Sequence, residues 1–363
     1  MWRLLDLGPI DGYVMTNIYE AVAKAVSHDS SPNTVILNHP KKPFVNIGYH
    51  QIMEKEIDID YASEMDFDLV RRSIGGGAIL DGPWEQDYFV VIHRSSSECP
   101  QSIPEFYSKF LKPPIYALNK YHLDTQLRSP NDIVVDGRKI SGNGAVTVDE
   151  ANVLAGDILL SLPIELMTKI IKTPSEKFRD KLAESMEEWL TSLEDKLGVL
   201  PNREEVKSFL ITGFDEELGI QLKPGSLNSV EEGYLTDLLQ ERKSNEWIFS
   251  KDIGYEQLLS RRAKVKEGVY VYEADHKAGK LIRVTMVVVE EKIDGISISG
   301  DFFTRPYIGA VSRLEEGLKG IPLEEEALKT QIGKVFAETG LSMFGANQEE
   351  LVTAILKAKG NMP

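Results

Sequence analysis

The sequence predicts a mixed α/β (α+β) fold, with a mixed-sheet core, a helical extension and a small α+β domain toward the C-terminal end. Three observations predict it. Short apolar strand patterns alternate with helical spacings over about the first 190 residues. A Glu-, Lys- and Leu-rich stretch then fills 175–245, and beyond about Lys251 strand patterns return before three helical ones. At 363 residues the chain is too long for one ordinary domain and short for three. The expected domains are 1–250, with a core over about 1–190 and an extension over about 190–250, and 251–363.

Each element has its own signal. Residues 15–26 place Ile18, Ala21, Val22 and Ala25 at helical spacing. Strands are expected at 34–37 and 43–49, and a short one at 68–72 runs into the glycines 75–77. The nearly unbroken apolar run 88–92 fits a strand covered on both faces. A helix is expected within 101–122, a hairpin over 133–148 and a strand over 155–160. From Pro163 the pattern is helical. Thr173-Pro174-Ser175-Glu176 has capping-box spacing with proline at the first helical position, and breaks are expected at Pro201 and Pro224-Gly225. Residues 268–273 and 282–289 read as strands, and Asp294-Gly295 as the tight turn into a strand at 296–299. Helices follow within 308–318, 323–337 and 347–358.

Composition narrows the class. Hydrophobic residues at 42% and charged residues at 27% exclude wholesale disorder, collagen and coiled coil. No apolar run reaches the roughly 18 residues that span a bilayer. The start, Met1-Trp2-Arg3-Leu4-Leu5-Asp6, has neither the apolar stretch nor the cleavage-like site of a signal peptide, so a cytoplasmic protein with no membrane partner is expected. Acidic residues number 57 against 41 Lys and Arg, a formal charge of −16. Duplex binders show the opposite balance, so no nucleic-acid partner is expected, although a small nucleotide held by local groups is compatible. The single Cys99 excludes an intramolecular disulfide framework and a cysteine-built metal site.

Three segments carry chemistry. In Arg71-Arg72-Ser73-Ile74-Gly75-Gly76-Gly77-Ala78 the glycines remove every Cβ, which lets backbone N–H groups approach an anion or a flat ring, and the arginines supply forked cationic donors. An ordinary flexible turn accounts for the glycines equally well. In the run from Pro130 to Ala145, Asp136-Gly137 is a two-residue hairpin signal. Val135 then faces Arg138 and Val134 faces Lys139, which sets Asp132 diagonally across from Lys139 on one face. Such a pair could position a metal–phosphate group and an acyl carboxylate, or be a solvated surface ion pair. Ser141-Gly142-Asn143-Gly144 implies close approach of a ligand or another backbone. In the third segment, Asp157 interrupts an apolar strand beside Gly156, where a carboxylate is paired, metal-bound or turned to an edge.

Arg-Arg-x-x-Gly-Gly-Gly-Ala followed about 60 residues later by Asn-Asp-(x6)-Lys-x-x-Gly-Asn-x-Ala resembles the lipoate–protein ligase family, of the biotin/lipoate ligase superfamily. The resemblance covers roughly 1–190. It continues in 260–320, where Gly300-Asp301-Phe302-Phe303 and the segment 314–320 resemble the family's C-terminal accessory domain. It implies an ATP-dependent lipoate–protein ligase: lipoic acid and ATP give lipoyl-AMP and pyrophosphate, and a lysine of a lipoyl domain or other acceptor protein takes the acyl group. It further implies that Lys139 is the catalytic lysine, contacting the acyl carboxyl oxygen and the α-phosphate to stabilise developing charge. Arg72 and the backbone of Gly77, Ala78, Ile79 and Leu80, with Lys139, fall on nucleotide-binding positions. Gly75 and Gly76 line the lipoyl tunnel, with Arg72, Lys139 and Gly142 also on lipoate-binding positions. Asn131 and Asp132 stand beside magnesium and phosphate, which makes Asp132 the first candidate ligand for magnesium and Asp157 a weaker second.

The sequence departs from the commoner bacterial pattern at Asp81-Gly82, at Tyr49 and at Gly156-Asp157, and in this it resembles a divergent branch of archaea and some sulfur-oxidising bacteria. The alternative is an octanoyl or lipoyl transferase acting without ATP through a cysteine thioester. Its one candidate thiol, Cys99, precedes a proline far in sequence from Lys139. A non-catalytic lipoyl-carrier-binding protein on the same scaffold is a further alternative, and retention of Lys139, Asp132 and the triple glycine speaks against it. A biotin ligase would space its arginine–glycine loop differently.

Overall fold

The computed structural model describes residues 2–128, 131–262 and 269–360. Pro130 and Gly268, expected in the hairpin motif and at a strand start, lie outside the described residues. The chain forms two compact units, one of Met1–Asn46, Asp58–Val70 and Ile79–Lys243, the other of Ile47–Ile57, Arg71–Ala78 and Ser244–Pro363.

The first unit is built on β1 (Trp2–Ile10), β2 (Asn33–Pro40), β3 (Phe44–Ile47), β4 (Asp68–Arg71), β5 (Ile79–Asp81), β6 (Glu85–His93), β7 (Thr125–Arg128), β8 (Asp132–Val135), β9 (Arg138–Val148), β10 (Ala151–Leu159) and β11 (Leu222–Pro224), the ends of β3 and β4 passing into the second. Eight strands form one mixed sheet in the order β11-β1-β2-β6-β10-β9-β8-β7, and β4-β3-β5 form a small second sheet. In the large sheet β1 runs parallel to both its neighbours, and the other ladders are antiparallel. One face of the large sheet presents Leu4, Val35, Leu37, Val90, Leu154 and Ile158 to a core shared with Phe106, Phe110, Leu118, Leu210 and Phe214. The helix Gly12–Ser27 covers the opposite face, where Tyr19 stacks on Phe89 with ring centroids 5.2 Å apart. β6 is buried on both faces, as its apolar run predicts.

The second unit holds the antiparallel sheet β12 (Val269–Lys277), β13 (Leu281–Val289) and β14 (Lys292–Gly300), and the pair β15 (Phe303–Arg305) with β16 (Ser342–Phe344). Helices Ala310–Gly317, Glu325–Thr339 and Gln348–Gly360 bury Leu314, Leu328, Ile332, Leu351 and Ile355 against that sheet.

Three local expectations are corrected. The helix expected within 101–122 is two, Ile103–Phe110 and Lys112–Asn119, because Pro113 and Pro114 are tolerated only in a first turn. The helix after Pro163 restarts at Glu176 rather than at Pro174, with Ser175 as an N-cap whose side chain makes no capping bond. Asp294-Gly295 is not a turn. The β13–β14 hairpin turns at Glu290 and Glu291, both with positive φ (49° and 60°), and Asp294 is the extra residue of a bulge between the pairs Val287–Gly295 and Val288–Ile293. The strands β1 and β11 carried no sequence expectation.

Candidate active site

In the first unit the hairpin β8–β9 builds the site. Asp136 (φ 51°) and Gly137 (φ 75°) form its turn in the left-handed region that Asp-Gly suits. Val135 pairs with Arg138 and Val134 with Lys139, as expected. The register then shifts, so Ile133 pairs with Ser141 and Asp132 with Gly142, leaving Ile140 as the extra residue of a bulge. Asp132 still lies diagonally across from Lys139 on one face, as expected, and the bulge makes Gly142 its direct partner. Without the bulge Lys139 would share a face with Ser141; with it, Lys139 shares a face with Gly142. The contact itself stands: Asp132 Oδ1 lies 3.0 Å from Lys139 Nζ, while Arg128 Nη2 donates to Asp132 Oδ2 at 3.1 Å. Burial pushes the Asp132 carboxyl up, but the Lys139 ammonium and the Arg128 guanidinium outweigh it and hold the group below the usual carboxylate range.

Gly142 is a glycine for a visible reason. A Cβ there would lie 2.7 Å from Lys139 Nζ and 3.6 Å from Asp157 Oδ2. Its N–H donates to Asp157 Oδ1 at 2.8 Å. Asp157 sits on β10, an interior strand, so it is no edge-facing carboxylate. Burial raises its pKa despite the nearby Lys139 ammonium and the Gly142 N–H. Asn131 clasps Asn143: its Nδ2 donates to the Asn143 carbonyl, and Asn143 Nδ2 donates back to the Asn131 carbonyl at 2.9 Å. Tyr88 donates its hydroxyl to Asn143 Oδ1, which closes a buried clasp at the hairpin base.

Sequence reasoning missed the carboxyls beside Asp157. Asp87 on β6 pairs directly with Asp157, and Asp81 and Glu85 lie close enough to add their charges. Asn46 Nδ2 donates to Asp81 Oδ2 at 2.7 Å, and the Gly82 N–H donates to Glu85 Oε1 at 3.2 Å. Burial, reinforced by these neighbouring carboxyls, pushes Glu85 and Asp87 well above their usual values, and Arg203 opposes this at Asp87. Acidic residues at 85 and 87 in an otherwise apolar strand were the available signal. Among the described residues, no group of three or more His, Cys, Asp or Glu is arranged to hold a metal.

The arginine–glycine segment belongs to the second unit. Arg71, paired with Arg72 in the sequence reading as a cationic donor, is structural. It is 1% exposed and donates to the carbonyls of Gly48, Tyr49, Gln51 and Ile248, while its Nη2 lies 3.2 Å from Asp252 Oδ2. Burial lowers its pKa to about 10, against the pull of Asp252. Arg72 donates to the carbonyls of Gly75 and Gly77, closing the loop on itself. Gly75 is required by packing, since its Cβ would lie 2.3 Å from the Phe302 carbonyl, and Gly76 by its φ of +100°. Only Gly77 of the three has open space. Ala78 ends this segment, whereas Ile79 (exposed) and Leu80 (buried) open β5 in the first unit. The sequence-predicted residues therefore fall in two groups, Lys139, Asp132, Asp157 and Gly142 in one unit and Arg72 with Gly75 to Ala78 in the other.

Cys99 is buried in the first unit. Its Sγ accepts from Asn152 Nδ2 at 3.5 Å, and burial pushes the thiol pKa up. Asn152 is five residues from Asp157 along β10, about 16 Å of strand.

Two family descriptions match the chain. "Lipoyl protein ligase A/B catalytic domain" covers residues 11–215, more than half of it, and "Bacterial lipoate protein ligase C-terminus" covers 271–355. The chain belongs to the lipoyl protein ligase A/B family. It is therefore an enzyme of the lipoate ligase and transferase class. Among curated relatives, octanoyltransferase LipM of Kyrpidia tusciae is 30% identical over 272 residues, 69% of this chain and 99% of that protein. Lipoate-protein ligase A subunit 1 of Thermoplasma acidophilum is 27% identical over 237 residues, 62% of this chain and 87% of the relative. The solved bi-partite lipoate protein ligase of T. acidophilum, described with its E2 lipoyl domain, is 25% identical with a TM-score of 0.61 over 68% of this chain and 95% of its own. LipL1 of P. falciparum, solved in complex with lipoate, covers 98% of this chain and 100% of its own at a TM-score of 0.68 and 13% identity, a likeness of fold alone. The mixed α/β family fold, accessory domain included, is thus present. No helix among the described residues is long and apolar enough to cross a membrane.

Proposed function

We propose that this chain joins an octanoyl or lipoyl group to a lysine of an acceptor protein, with the reacting carboxyl carbon held at Lys139. The observation that carries this is the Lys139 ammonium, lying over Gly142 where no side chain intervenes, with Asp132 fixing it from one side. A fixed cation there stabilises the negative charge that gathers on the acyl oxygen during substitution.

Two readings of the acyl donor follow. In the first, ATP and free lipoate give lipoyl-AMP, and the C-terminal region matched to bacterial lipoate protein ligases supports it. In the second, the donor is an octanoyl thioester and no ATP is used. The octanoyltransferase relatives, matched over 99% of their own length, favour this second reading over the first. The buried Cys99, which meets Asn152 at the end of β10 remote from Asp157, argues against a thioester relay through that thiol, so ATP-independent transfer would pass directly from donor to acceptor lysine.

Under the first reading, Arg72 and the backbone of Gly77, Ala78, Ile79 and Leu80 are proposed nucleotide contacts, and Gly75, Gly76 and Gly142 proposed lipoate contacts. Asp132 fits magnesium, because its carboxylate is ionised and partly exposed, a hard oxygen ligand once Arg128 or Lys139 gives way. Asp157 fits poorly, since burial favours its protonated form and Oδ1 already accepts from Gly142. When bound, magnesium would neutralise phosphate charge.

The two readings separate in paired assays. One is lipoate-dependent ATP–pyrophosphate exchange, and the other is octanoyl transfer from an octanoyl-carrier protein to a lipoyl domain without ATP. Exchange alone supports the ligase, carrier transfer alone the transferase. Neither activity from folded protein would sink the proposal.

A further inference from the structure

Lys139 stands on a part of β9 that β10 does not reach. Among the described residues the ladder of β10 on β9 runs from Asn143 to Val148, so Arg138 to Gly142 project past it with β8 on their other side. Residues 187–196 take the missing neighbour's place. Leu190 pairs with Lys139 in a one-residue parallel bridge, and the Thr191 N–H donates to the Lys139 carbonyl at 2.8 Å. Arg138 Nη1 donates to the Glu187 carbonyl at 3.3 Å, and Lys196 Nζ lies 2.7 Å from Asp136 Oδ2. This strap is anchored just past Thr191, where Ser192 and Asp195 form a capping box and Leu193 is fully buried. Ahead of it the helix Glu176–Trp189 buries none of its residues. Trp189, the last of them, is 58% exposed, and its ring centroid lies 5.8 Å from Arg128 Cζ.

A lone exposed tryptophan is ordinary on a protein surface. This one meets a guanidinium that is itself bound to the site: Arg128 Nη2 donates to Asp132 Oδ2 at 3.1 Å and Nη1 to the Gly137 carbonyl at 3.3 Å. We propose that Trp189 and Arg128 are positioning residues for the Lys139 ammonium, acting in series through Asp132. The inference rests on the reading of acyl transfer at Lys139, but not on which donor is used. A carboxylate can turn to offer either oxygen. With Oδ2 taken by Arg128, Oδ1 is left facing Lys139 Nζ at 3.0 Å. The ammonium alone would not fix that choice, because it is a compact charge with rotatable donors, whereas the planar fork of Arg128 spans carboxylate and turn together. The Arg128 stem is long and part-exposed, so its own rotamers need restraint, and the Trp189 face supplies it by cation–π attraction. A cation stabilises charge developing on the acyl oxygen only while it stays aimed there.

The test measures transfer to a lysine-bearing acceptor domain, with acyl donor supplied ready-made as acyl adenylate or acyl-carrier thioester. Arg128→Gln should lower kcat about 10- to 100-fold, the loss typical of removing a partner that orients a site residue. Trp189→Ala should lower it about 2- to 5-fold, the worth of an exposed cation–π contact. The KM for the acceptor should stay within about twofold in both. Trp189→Phe, which keeps an aromatic face, should recover most of the parent rate. In the Arg128→Gln background, Trp189→Ala should change kcat less than about 1.5-fold further, because the two act as one series. Both side chains are at least partly exposed, so melting temperatures should move by no more than about 2 °C. Parent-like kcat in Arg128→Gln, or losses that add in full in the double variant, overturns the proposal. A raised acceptor KM with kcat unchanged would make Trp189 a contact for the acceptor domain and overturns its positioning role. A parent protein that transfers no acyl group from either donor would instead fail the functional reading itself.

Discussion

A single missing methyl group decides where the Lys139 ammonium can sit. Alanine at Gly142 places Cβ 2.7 Å from Lys139 Nζ, and the end of a flexible side chain will move rather than the sheet. Gly142→Ala is therefore expected to leave the melting temperature nearly unchanged while lowering acyl transfer by about 10²-fold. Full activity would show that the lysine works from another position. That Lys139, Asp132 and Gly142 come together is legible in the sequence because a hairpin signal and two glycines fix their spacing. The meeting of Asp87 with Asp157 is not, because they stand 70 positions apart and only the strand ladder brings them opposite each other. Arg71 misleads for the same reason: a guanidinium buried against Asp252 and four carbonyls reads, in one dimension, like a phosphate donor.

At the level of elements, both hairpins carry a bulge, and the two differ in how well their turns suit their residues. The β8–β9 turn puts Asp136 and Gly137 at positive φ, where their chemistry fits, and the sequence expectation succeeds there. The β13–β14 turn asks the same of Glu290 and Glu291, while the better turn dipeptide, Asp294-Gly295, is spent on the bulge three residues later. Side-chain alternation explains the choice. Turning at Glu290 and Glu291 keeps Ile293, Ile296 and Ile298 buried, and local turn preference yields to the core. The misfit leaves stability to be recovered. Glu290→Asn with Glu291→Gly is expected to stabilise the protein by about 1–2 kcal/mol, part of the strain of two L-residues that each cost about that much in the left-handed region. The exposed ion pair from Glu291 to Lys359 is worth too little to offset this. A denaturant midpoint that fails to rise would mean the bulge, not the turn, sets the register. Other elements hide from sequence for a plainer reason: β11 has three residues and β1 mixes apolar with polar positions, so neither shows a period.

On the scale of the whole chain, composition changes near residue 251, yet the second unit also takes in 47–57 and 71–78. Residues 47–57 bury Ile47, Tyr49, Ile52, Met53 and Ile57, whereas 71–78 offers little beyond Ile74. They are held by contacts that the distant C-terminal sequence supplies inside the same unit. Asp252 receives the Arg71 guanidinium and the N–H groups of Met53 and Glu54, the Phe302 backbone closes on Gly75, and His50 stacks on Phe302 with ring centroids 4.6 Å apart. A truncation to residues 1–250 would thus not excise an appendage cleanly. It would strip Arg71 of its carboxylate partner, and an unpaired buried charge costs about 3–5 kcal/mol, enough to release the segment from its folded position. The glycines at 75–77, without the Phe302 backbone against Gly75 and with only Arg72 bonded to their carbonyls, would then offer a more open backbone beside two arginines. Trypsin should cut after Arg71 or Arg72 in the 1–250 fragment within minutes, while the full chain resists there under the same conditions. Equal resistance of the two would show that residues 1–250 hold the arginine–glycine loop unaided and that Asp252 contributes little to its order.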